Sequence, residues 1–467
     1  MVNANDTPCP KGIHNCFGML LTVVLLAAHL PGLCTANPLE VEPLSSKPRV
    51  IATQDGEIDD KSSMIRFLMY SSDYDIVGIV ENNSIFQKRG HSKEKWIQKE
   101  IDLYAQVYAN LKLHHPGYPS PEYLKSVIYL GNENAADLHT APADMITKDT
   151  AGSDLIIKTL LDEDPRPVHV PSWGGANTTA YALWKIKTTM PDRWKYAASR
   201  IRIYAICYNL TNKAQDGGIP WIVDNLPEVK IYQSAAWSRT WNYSSVGSGS
   251  YNPADVQAYM TEEWLDRNVK TGHGPLGEYY PQKYVSEGDT PCFLPLINNG
   301  LEARRDYTLG GWGGRAKYQR GNFMIDAADD SPKHPEHKSF WRWIPAVQND
   351  FAARMDWCLA KSFNDANHNP VAKVSGPLVR NIESGQTVTL DASTSTDPDG
   401  DQLTFQWWQY YEADSVEAKL EIAGADTKSA SFVVPNESGK QLHIILEVSD
   451  NGTPSLKNYQ RVICNIQ

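Results

Sequence analysis

Several features that would assign this chain to a common functional class are missing from its sequence. The 467 residues carry a net charge of −11 and no basic stripe, which argues against a nucleic-acid partner because phosphate binding needs one. The cysteines lack the close spacing of a zinc site, and no serine stands in the context of a nucleophile elbow. Beyond residue 36, no segment is apolar enough to cross a bilayer.

The composition is that of a globular protein with many aromatic residues. Hydrophobic residues make up 41% of the chain and charged residues 21%, and the length suffices for two or three domains. The 14 Trp and 23 Tyr suit stacking against sugar rings, but aromatic side chains also fill cores and interfaces. Composition alone leaves both explanations open.

The N-terminus has the pattern of an export signal. Lys11 and His14 precede an apolar run over 17–30, and small residues follow up to Ala36. We therefore predict a signal peptide over 1–36, cleavage near Ala36 and a secreted or periplasmic protein, with an uncleaved anchor as the alternative. A tether rich in Pro and Ser follows over 37–48.

Four cysteines lie beyond the predicted signal, and sequence cannot pair them. In an oxidising compartment one or two disulfides are possible, and buried free thiols fit equally well. The residues concerned are Cys207, Cys292, Cys358 and Cys464.

An α/β domain is predicted over 49–363, because strand-like and helix-like segments alternate from 49 to about 210. Such alternation indicates βαβ units and a mostly parallel sheet flanked by helices. Residues 210–290 are less regular, and one helix is predicted over 341–363. The strands are predicted at 49–53, 75–81, 127–130, 168–171 and 201–207, and the earlier helices at 58–71, 94–111, 153–161 and 176–186.

The sequence pattern changes after a polar linker at 364–370. Short alternating strands separated by Pro, Asn, Asp and Gly turns predict an Ig-like β-sandwich over 371–467. One turn carries Asp397, Asp399 and Asp401, which suit either a calcium site or a turn built from Asp, Pro and Gly. The turn is the favoured interpretation.

The most informative stretch is the acidic turn at 55–60, which follows the first strand directly. It holds four acidic residues in six positions, and a helical pattern begins within it. Two carboxylates about 4 Å apart repel by roughly 4 kcal/mol at an effective dielectric near 20, whereas a helix N-terminus returns about 0.3–1 kcal/mol per carboxylate. Convergence of Asp55, Asp59 and Asp60 would therefore favour a bound hard cation, calcium before magnesium. Helix capping explains the same residues equally well.

Polar turns follow other predicted strands as well. Strand 75–81 leads into Asn82 and Asn83, and strand 168–171 leads into a glycine-containing turn that reaches Asn177. A further acidic turn at 286–291 carries Asp289. Ligands bind beyond the carboxyl ends of parallel strands, so these turns together indicate a functional site at one rim of the sheet.

The chain resembles a known family in four segments. TQDGEIDD (53–60) is similar to the acidic fingerprint of the nucleoside hydrolases, in which Asp-x-x-x-Asp-Asp holds calcium. EGDTPCFLPLINNGL (287–301), GGWGGR (310–315) and NDFAARMDWC (349–358) resemble its secreted, nucleoside-hydrolase-like relatives described as cellulose-binding. The resemblance covers roughly residues 48 to 467, including the C-terminal β domain.

The resemblance implies a role for each matching residue. Asp55 would contact the cation and act as general base towards water, and Asp60 would be a metal ligand. Asp59 would contact sugar hydroxyls. Asn177 would present a backbone carbonyl to the cation, and Asp289 would be the last carboxylate ligand.

Three further residues are expected to contact the substrate. Asn82 falls near a ribose-binding asparagine, with Asn83 as the alternative register. The neighbourhood of Asp289 has no histidine, which the family often uses as leaving-group acid, so Glu287 is expected to take that role. Trp312 is expected to stack on a sugar or, equally well, to pack in a tight glycine turn.

The expected function is hydrolysis of an N-glycosyl or related glycosidic bond, with calcium as cofactor and an activated water as nucleophile. The expected ligand is a carbohydrate or a nucleoside-like small molecule. The alternative is a non-catalytic protein that binds cellulose or another carbohydrate on the same fold. Sequence does not give the oligomeric state.

Overall fold

An eight-stranded sheet forms the centre of the N-terminal region. The computed structural model describes residues 46–207, 209–210, 215–243, 250–281 and 287–467, so the predicted signal peptide and most of the predicted tether lie outside the described residues. The sheet order is β3-β2-β1-β4-β5-β6-β8-β7, and only β7 runs antiparallel to its neighbour. Its strands are β1 (Arg49–Gln54), β2 (Asp75–Glu81), β3 (Ile128–Leu130), β4 (Val168–Ser172), β5 (Ile201–Ile206), β6 (Lys230–Ser234), β7 (Ala316–Arg320) and β8 (Phe323–Asp326).

Helices cover both faces of this sheet, which confirms the predicted α/β class. Side chains alternate along β1, so Val50 joins one apolar core with α1 and α2, whereas Ile51 joins a second core with α4 and α5. The helices are α1 (Ile58–Met69), α2 (Trp96–His114), α3 (Pro121–Ser126), α4 (Ala151–Leu161), α5 (Asn177–Thr189), α6 (Pro191–Arg200), α7 (Gly218–Asn225), α8 (Ala254–Gln257), α9 (Glu262–Leu265), α10 (Gly274–Tyr279), α11 (Pro335–Trp341) and α12 (Ile344–Trp357).

The sheet has a switch point at β1. The chain passes from β1 outward to β2 and β3 and then returns to β4 on the other side of β1. Such a reversal opens a crevice beyond the carboxyl ends of the strands. The acidic turn follows β1 and therefore lies at this crevice.

Three sequence-based assignments are wrong or incomplete. The helix predicted over 341–363 is two helices, α11 and α12, and each begins with a proline in its first turn, a position where proline is favoured. Strand β6 lies in the region considered irregular. Strand β7 has mostly exposed, polar side chains and so gives no apolar signal.

The C-terminal region is a β-sandwich of two sheets. Strands β10 and β12 form one sheet, and β11, β13, β14 and β9 form the other. Apolar side chains from both sheets, among them Trp407 and Leu390, make one core. The strands are β9 (Val379–Ile382), β10 (Thr387–Asp391), β11 (Thr404–Gln409), β12 (Ser429–Val433), β13 (Gln441–Ser449) and β14 (Lys457–Ile466), of which β9 was not predicted.

The acidic stretch of the sandwich forms a turn, whereas the calcium alternative at these aspartates stays a prediction. Oδ1 of Asp397 accepts the backbone N–H groups of Asp399 at 2.8 Å and Asp401 at 3.1 Å. Such bonds are typical of a turn built around an aspartate.

The sandwich docks tightly on the α/β region. Arg461 of β14 is buried and donates to the carbonyl oxygens of Leu301 at 2.8 Å and Gly310 at 3.0 Å. Gly300 has a φ of +83°, and a Cβ atom there would lie 1.8 Å from the carbonyl oxygen of Tyr459. Gly300 thus allows close packing between the two regions.

The described residues also show the state of the four cysteines and the character of the helices. Cys207, Cys292, Cys358 and Cys464 are all buried free thiols. Within the described ranges, none of the helices combines the length and apolar character that crossing a bilayer requires.

Candidate metal and active site

Hydrogen bonds from backbone N–H groups to its own carboxylates hold the acidic turn in place. The N–H of Asp55 donates to Oδ1 of Asp60 at 3.0 Å, and the N–H of Glu57 donates to Oδ1 of Asp55 at 3.1 Å. Helix α1 begins directly after Glu57, so Asp59 and Asp60 fall in its first turn. Gly174, from the turn after β4, packs on Asp55 so closely that a Cβ atom there would lie 2.6 Å from Cβ of Asp55.

Two neighbouring carboxylates of this turn, Asp59 and Asp60, meet a third from a distant part of the chain, Asp289. One oxygen each from Asp59, Asp60 and Asp289 lies within 4.8 Å of the other two. Asp60 and Asp289 are each 2% exposed, while Asp59 is partly exposed and opens the cluster towards solvent. Asp289 therefore lies beside the acidic turn, as the sequence predicted.

The electrostatics of the cluster show strong mutual repulsion. Burial, followed by the charge of Asp55, raises the pKa of Asp59 to about 7. Burial and the charges of Asp55 and Asp289 raise the pKa of Asp60 well above its usual range. Burial and the charge of Asp59 do the same to the pKa of Asp289. A divalent cation among these groups would remove the repulsion and favour their ionised forms.

Unpartnered oxygen atoms support a cation at this point. Asp55 Oδ2 and Asp289 Oδ2 are buried and accept no hydrogen bond from the described residues. A buried carboxylate oxygen without a donor is costly and rare. The possible metal ligands here are all oxygen atoms, which are the ligands that calcium and magnesium prefer. The residues present therefore fit a hard divalent cation.

The predicted asparagines lie at the neighbouring strand ends and contact one another. Nδ2 of Asn177 donates to Oδ1 of Asn83 at 2.9 Å, which joins the start of α5 to the end of β2. Nδ2 of Asn82 donates to the carbonyl oxygen of Gly175 at 3.3 Å, and Asn82 also accepts from the Thr178 hydroxyl. All three asparagines are fully buried. They fix the turn after β4 against the end of β2.

Asp216 is a residue of this region that sequence reasoning missed. Its carboxylate accepts the N–H groups of Asn177 and Gly218, both at 2.7 Å, and so joins the starts of α5 and α7. Burial raises its pKa to about 7. The signal was present as Asp216 followed by two glycines, but it lies where no regular structure was predicted.

Glu287 does not fit the expected role of leaving-group acid. Its side chain is fully buried, and Arg66 donates to it from Nε at 2.5 Å and from Nη2 at 3.0 Å. Hydroxyl groups of Tyr280 and Thr290 donate to it as well, at 2.5 and 2.8 Å. A carboxylate surrounded by donors and paired with a guanidinium is stabilised as an acceptor. Glu287 instead anchors the segment that carries Asp289.

Arg66 is the second residue that sequence reasoning missed. It lies on α1, where it interrupts an otherwise apolar stretch, and its guanidinium carbon stands 3.8 Å from the ring centroid of Phe351. Gln348 of α12 accepts from its Nη2 at 2.7 Å. The ion pair with Glu287 therefore connects α1, α12 and the Asp289 segment.

Trp312 does not stack on a sugar from the surface, because it is 1% exposed. It belongs to the large apolar core that also contains Tyr459 of the sandwich. Gly314 has a φ of +88°, and a Cβ atom there would meet the Phe340 ring at 2.4 Å. The alternative interpretation, a tight glycine turn with a packing tryptophan, is the one the structure supports.

Comparisons with known proteins agree with this architecture. The family model described as "Cellulose-binding Sde182, nucleoside hydrolase-like domain" matches residues 49–316. The model described as "Cellulose-binding protein Sde0182, C-terminal domain" matches residues 387–466. No curated protein matches the chain.

Among solved structures, the chain is similar to a nucleoside hydrolase-related hypothetical protein from Saccharophagus degradans that is associated with carbohydrate metabolism. The two are 33% identical with a TM-score of 0.76, over 90% of this chain and 100% of that one. A plant nucleoside hydrolase, PpNRh1, aligns at 11% identity with a TM-score of 0.31, over 65% of this chain and 99% of that one.

Proposed function

The chain belongs to the family of cellulose-binding proteins with a nucleoside-hydrolase-like domain, and on that premise we propose that its acidic site binds calcium and hydrolyses a glycosidic bond. The observation that carries the proposal is the meeting of Asp59, Asp60 and Asp289 within 4.8 Å. The two unpartnered oxygens of Asp55 and Asp289 add to it. The proposed substrate has a sugar with free hydroxyls next to the bond that breaks.

The proposed metal ligands are carboxylates that the fold already orients. Asp60 and Asp289 are buried at the base of the cluster, and Asp55 offers its free Oδ2. We propose Asn177 as a further ligand through its backbone carbonyl, as the resemblance implies. A bound calcium ion would supply positive charge that lowers the pKa of water and holds sugar hydroxyls.

The chain's own residues can then be given separate tasks. Asp55 is the proposed general base: its Oδ2 would face the cation, while its Oδ1, which accepts the N–H of Glu57 through one lone pair, can take a proton from water through the other. Asp59 is the proposed contact for sugar hydroxyls, since it is the partly exposed member of the cluster. Asn82 and Asn83 orient this site through the turn after β4. Positioning of water against the anomeric carbon favours an oxocarbenium-like transition state.

The ion pair of Glu287 with Arg66 bears on the choice of leaving group. Because Glu287 is paired with Arg66, it is not available to protonate a leaving group. The site therefore suits a substrate whose leaving group departs without protonation. An activated aryl glycoside or a nucleoside with a good leaving base meets that condition. We propose that such substrates turn over faster than alkyl glycosides.

We further propose that the protein acts outside the cytoplasm. The sequence pattern over 1–36 is that of a signal peptide, and a polysaccharide-rich environment would supply its ligands. An N-terminal sequence of the exported protein beginning near Asn37 would support this, whereas an intact N-terminus on a cytoplasmic protein would contradict it.

A direct test compares turnover by the wild type and by Asp55→Ala, with calcium or with a chelator. The panel should hold nucleosides, aryl β-glycosides and cello-oligosaccharides. We expect hydrolysis by the wild type in calcium only and a loss of at least about a hundredfold in Asp55→Ala, in line with removal of a general base. Asp426→Ala, at an exposed position of the sandwich, is the matched control and should keep full activity. Equal turnover by Asp55→Ala and wild type would contradict the assignment.

The second candidate is a carbohydrate-binding protein without catalysis. It is favoured by the engagement of Glu287 in a buried ion pair and by the cellulose-binding description of both matched families. Sedimentation with insoluble cellulose measures this binding directly. Binding without release of sugar or base from any member of the panel would select this candidate.

A further inference from the structure

A groove runs along the seam between helices α11 and α12 and the sandwich. Two concavities, of about 440 Å³ and 290 Å³, meet at Lys338, Arg342 and Trp408. Ligand pockets typically span about 300–1,000 Å³, and the first concavity falls within that range; the two concavities together are here called the seam groove. It shares no residue with the acidic cluster.

Trp408 forms the centre of the seam groove because of strand alternation. On β11, Trp407 is 1% exposed and lies in the sandwich core, so its neighbour Trp408 faces the opposite side, towards α12. The guanidinium carbon of Arg342 stands 4.9 Å from the Trp408 ring centroid and fixes the ring's orientation. Trp408 itself is half-buried and lines both concavities.

The charges along the seam groove are paired with one another. Lys338 and Arg342 each lie 3.6 Å from Glu412, and Lys419 lies 3.1 Å from Asp330. Such pairing leaves little net field to select an anion or a cation. The paired side chains place hydrogen-bond donors and acceptors side by side, and a neutral ligand rich in hydroxyl groups can bond to both.

Two further observations bear on a ligand in the seam groove. Trp343 lines the second concavity, is 3% exposed, and its indole N–H has no hydrogen-bond partner in the described part of the chain. The region that matches the cellulose-binding C-terminal family, 387–466, also supplies Trp408, Tyr411 and Glu412 to the groove. A half-buried ring beside paired charges suits the apolar face and the hydroxyl edge of a pyranose.

We propose that the seam groove binds a neutral β-glucan chain, with a pyranose ring stacked on Trp408 and a second one near Tyr411. This inference rests on the carbohydrate-binding function proposed above and gives it a location apart from the acidic site. The groove would hold the polysaccharide while the acidic site remains free for a smaller ligand.

The test measures binding of the full chain to insoluble cellulose and to soluble hydroxyethylcellulose. Trp408→Ala should weaken binding about tenfold, as loss of an aromatic platform does, and Tyr411→Ala should weaken it severalfold. The matched control is Tyr318→Ala, on β7 outside the groove and 46% exposed, which should bind as the wild type does. Thermal unfolding and near-UV circular dichroism establish that each variant is folded. If Trp408→Ala does not fold, the binding of Tyr411→Ala tests the proposal.

The outcomes separate the two claims. Failure of the wild type to bind either glucan would overturn the carbohydrate-binding function itself. Wild-type binding that is unchanged in Trp408→Ala and Tyr411→Ala would leave that function standing and overturn the location. Tighter binding to carboxymethylcellulose than to hydroxyethylcellulose would overturn the neutral ligand. Dimerisation in sedimentation experiments that Trp408→Ala abolishes would assign the groove to a second copy of the chain instead.

Discussion

Arg66 and Glu287, 221 positions apart in the chain, form a fully buried ion pair joined by two hydrogen bonds of 2.5 and 3.0 Å. The pair fixes helix α1, which carries Asp59 and Asp60, to the segment that carries Asp289. The geometry of the acidic site therefore depends on a contact that touches none of its carboxylates.

Breaking this pair from one side should unfold the protein more easily. Glu287→Gln leaves the Arg66 charge buried without its counter-ion, which costs about 3–5 kcal/mol of unfolding free energy in comparable cases. Chemical denaturation of the wild type and the variant measures the difference. The double variant Arg66→Met, Glu287→Gln should recover part of the loss, since no unpaired charge remains. A Glu287→Gln variant as stable as the wild type, with activity lost, would instead point to a catalytic role for Glu287.

The carboxylates of the cluster should differ in their effect on calcium affinity. Asp60 is buried and bonded to the backbone of Asp55, whereas Asp59 is partly exposed. We expect Asp60→Asn to abolish calcium binding and Asp59→Asn to weaken it by less than about tenfold while turnover falls sharply. Isothermal titration of calcium into each variant gives the comparison. An Asp59→Asn variant that loses calcium altogether would make Asp59 a metal ligand and not a substrate contact.

The calcium-free protein should become less stable as the pH rises from 5 to 8. Burial, with the nearby charges of Asp59 and Asp55, raises the pKa of Glu57 to about 8, and the pKa of Asp59 is raised to about 7. A carboxyl whose pKa is raised by folding holds its proton in the folded state only, so stability is lost between its ordinary pKa and the raised one.

Melting temperatures in a chelator and in calcium test this pH dependence. The fall should be present in the chelator and much smaller in calcium, because the ion stabilises the deprotonated cluster. Asp60→Asn, which removes one charge, should show a shallower fall in the chelator than the wild type. A melting temperature that rises from pH 5 to 8 in the chelator, with the same slope in Asp60→Asn, would refute the electrostatic argument.

The docking of the sandwich should depend on Gly300. At Gly300→Ala, a Cβ atom would lie 1.8 Å from the carbonyl oxygen of Tyr459, and the positive φ adds about 1–2 kcal/mol of strain. Gly400→Ala is the matched control, because its φ is +85° and nothing lies within 4 Å. We expect Gly300→Ala to lower the unfolding free energy by at least about 2 kcal/mol more than Gly400→Ala does. Equal losses in the two variants would show that the contact with Tyr459 is not tight.

Local patterns were sufficient to predict the elements around the acidic turn. The apolar run of β1, the acidic residues and the start of α1 are contiguous, so the sequence alone predicted a strand, a turn and a helix there. Strand β2 was predicted with its observed bounds, Asp75–Glu81, because a buried parallel strand is apolar almost throughout. The position of Asp289 beside this turn was predicted from the assignment of the polar turns to one rim of the sheet and from the family resemblance, since no local pattern encodes it.

The surroundings of Glu287 and Trp312 could not be predicted from the sequence, for a common physical reason. Each looked functional because its partners are distant in sequence: Arg66 lies 221 positions from Glu287, and Trp312 packs in the core that contains Tyr459 of the sandwich. A buried ion pair and a packed indole cannot be distinguished from a catalytic acid and a sugar platform until the tertiary contacts are known. Asp216 was missed for the opposite reason, since no regular element was predicted around it.

The most direct test of the central claim is a calorimetric titration of calcium into the chelator-treated wild-type chain, with Asp60→Asn as the reference. We expect one calcium ion per chain in the wild type and no binding heat in the variant. Absence of binding to the wild type at millimolar calcium, or the same binding by the wild type and Asp60→Asn, would contradict it.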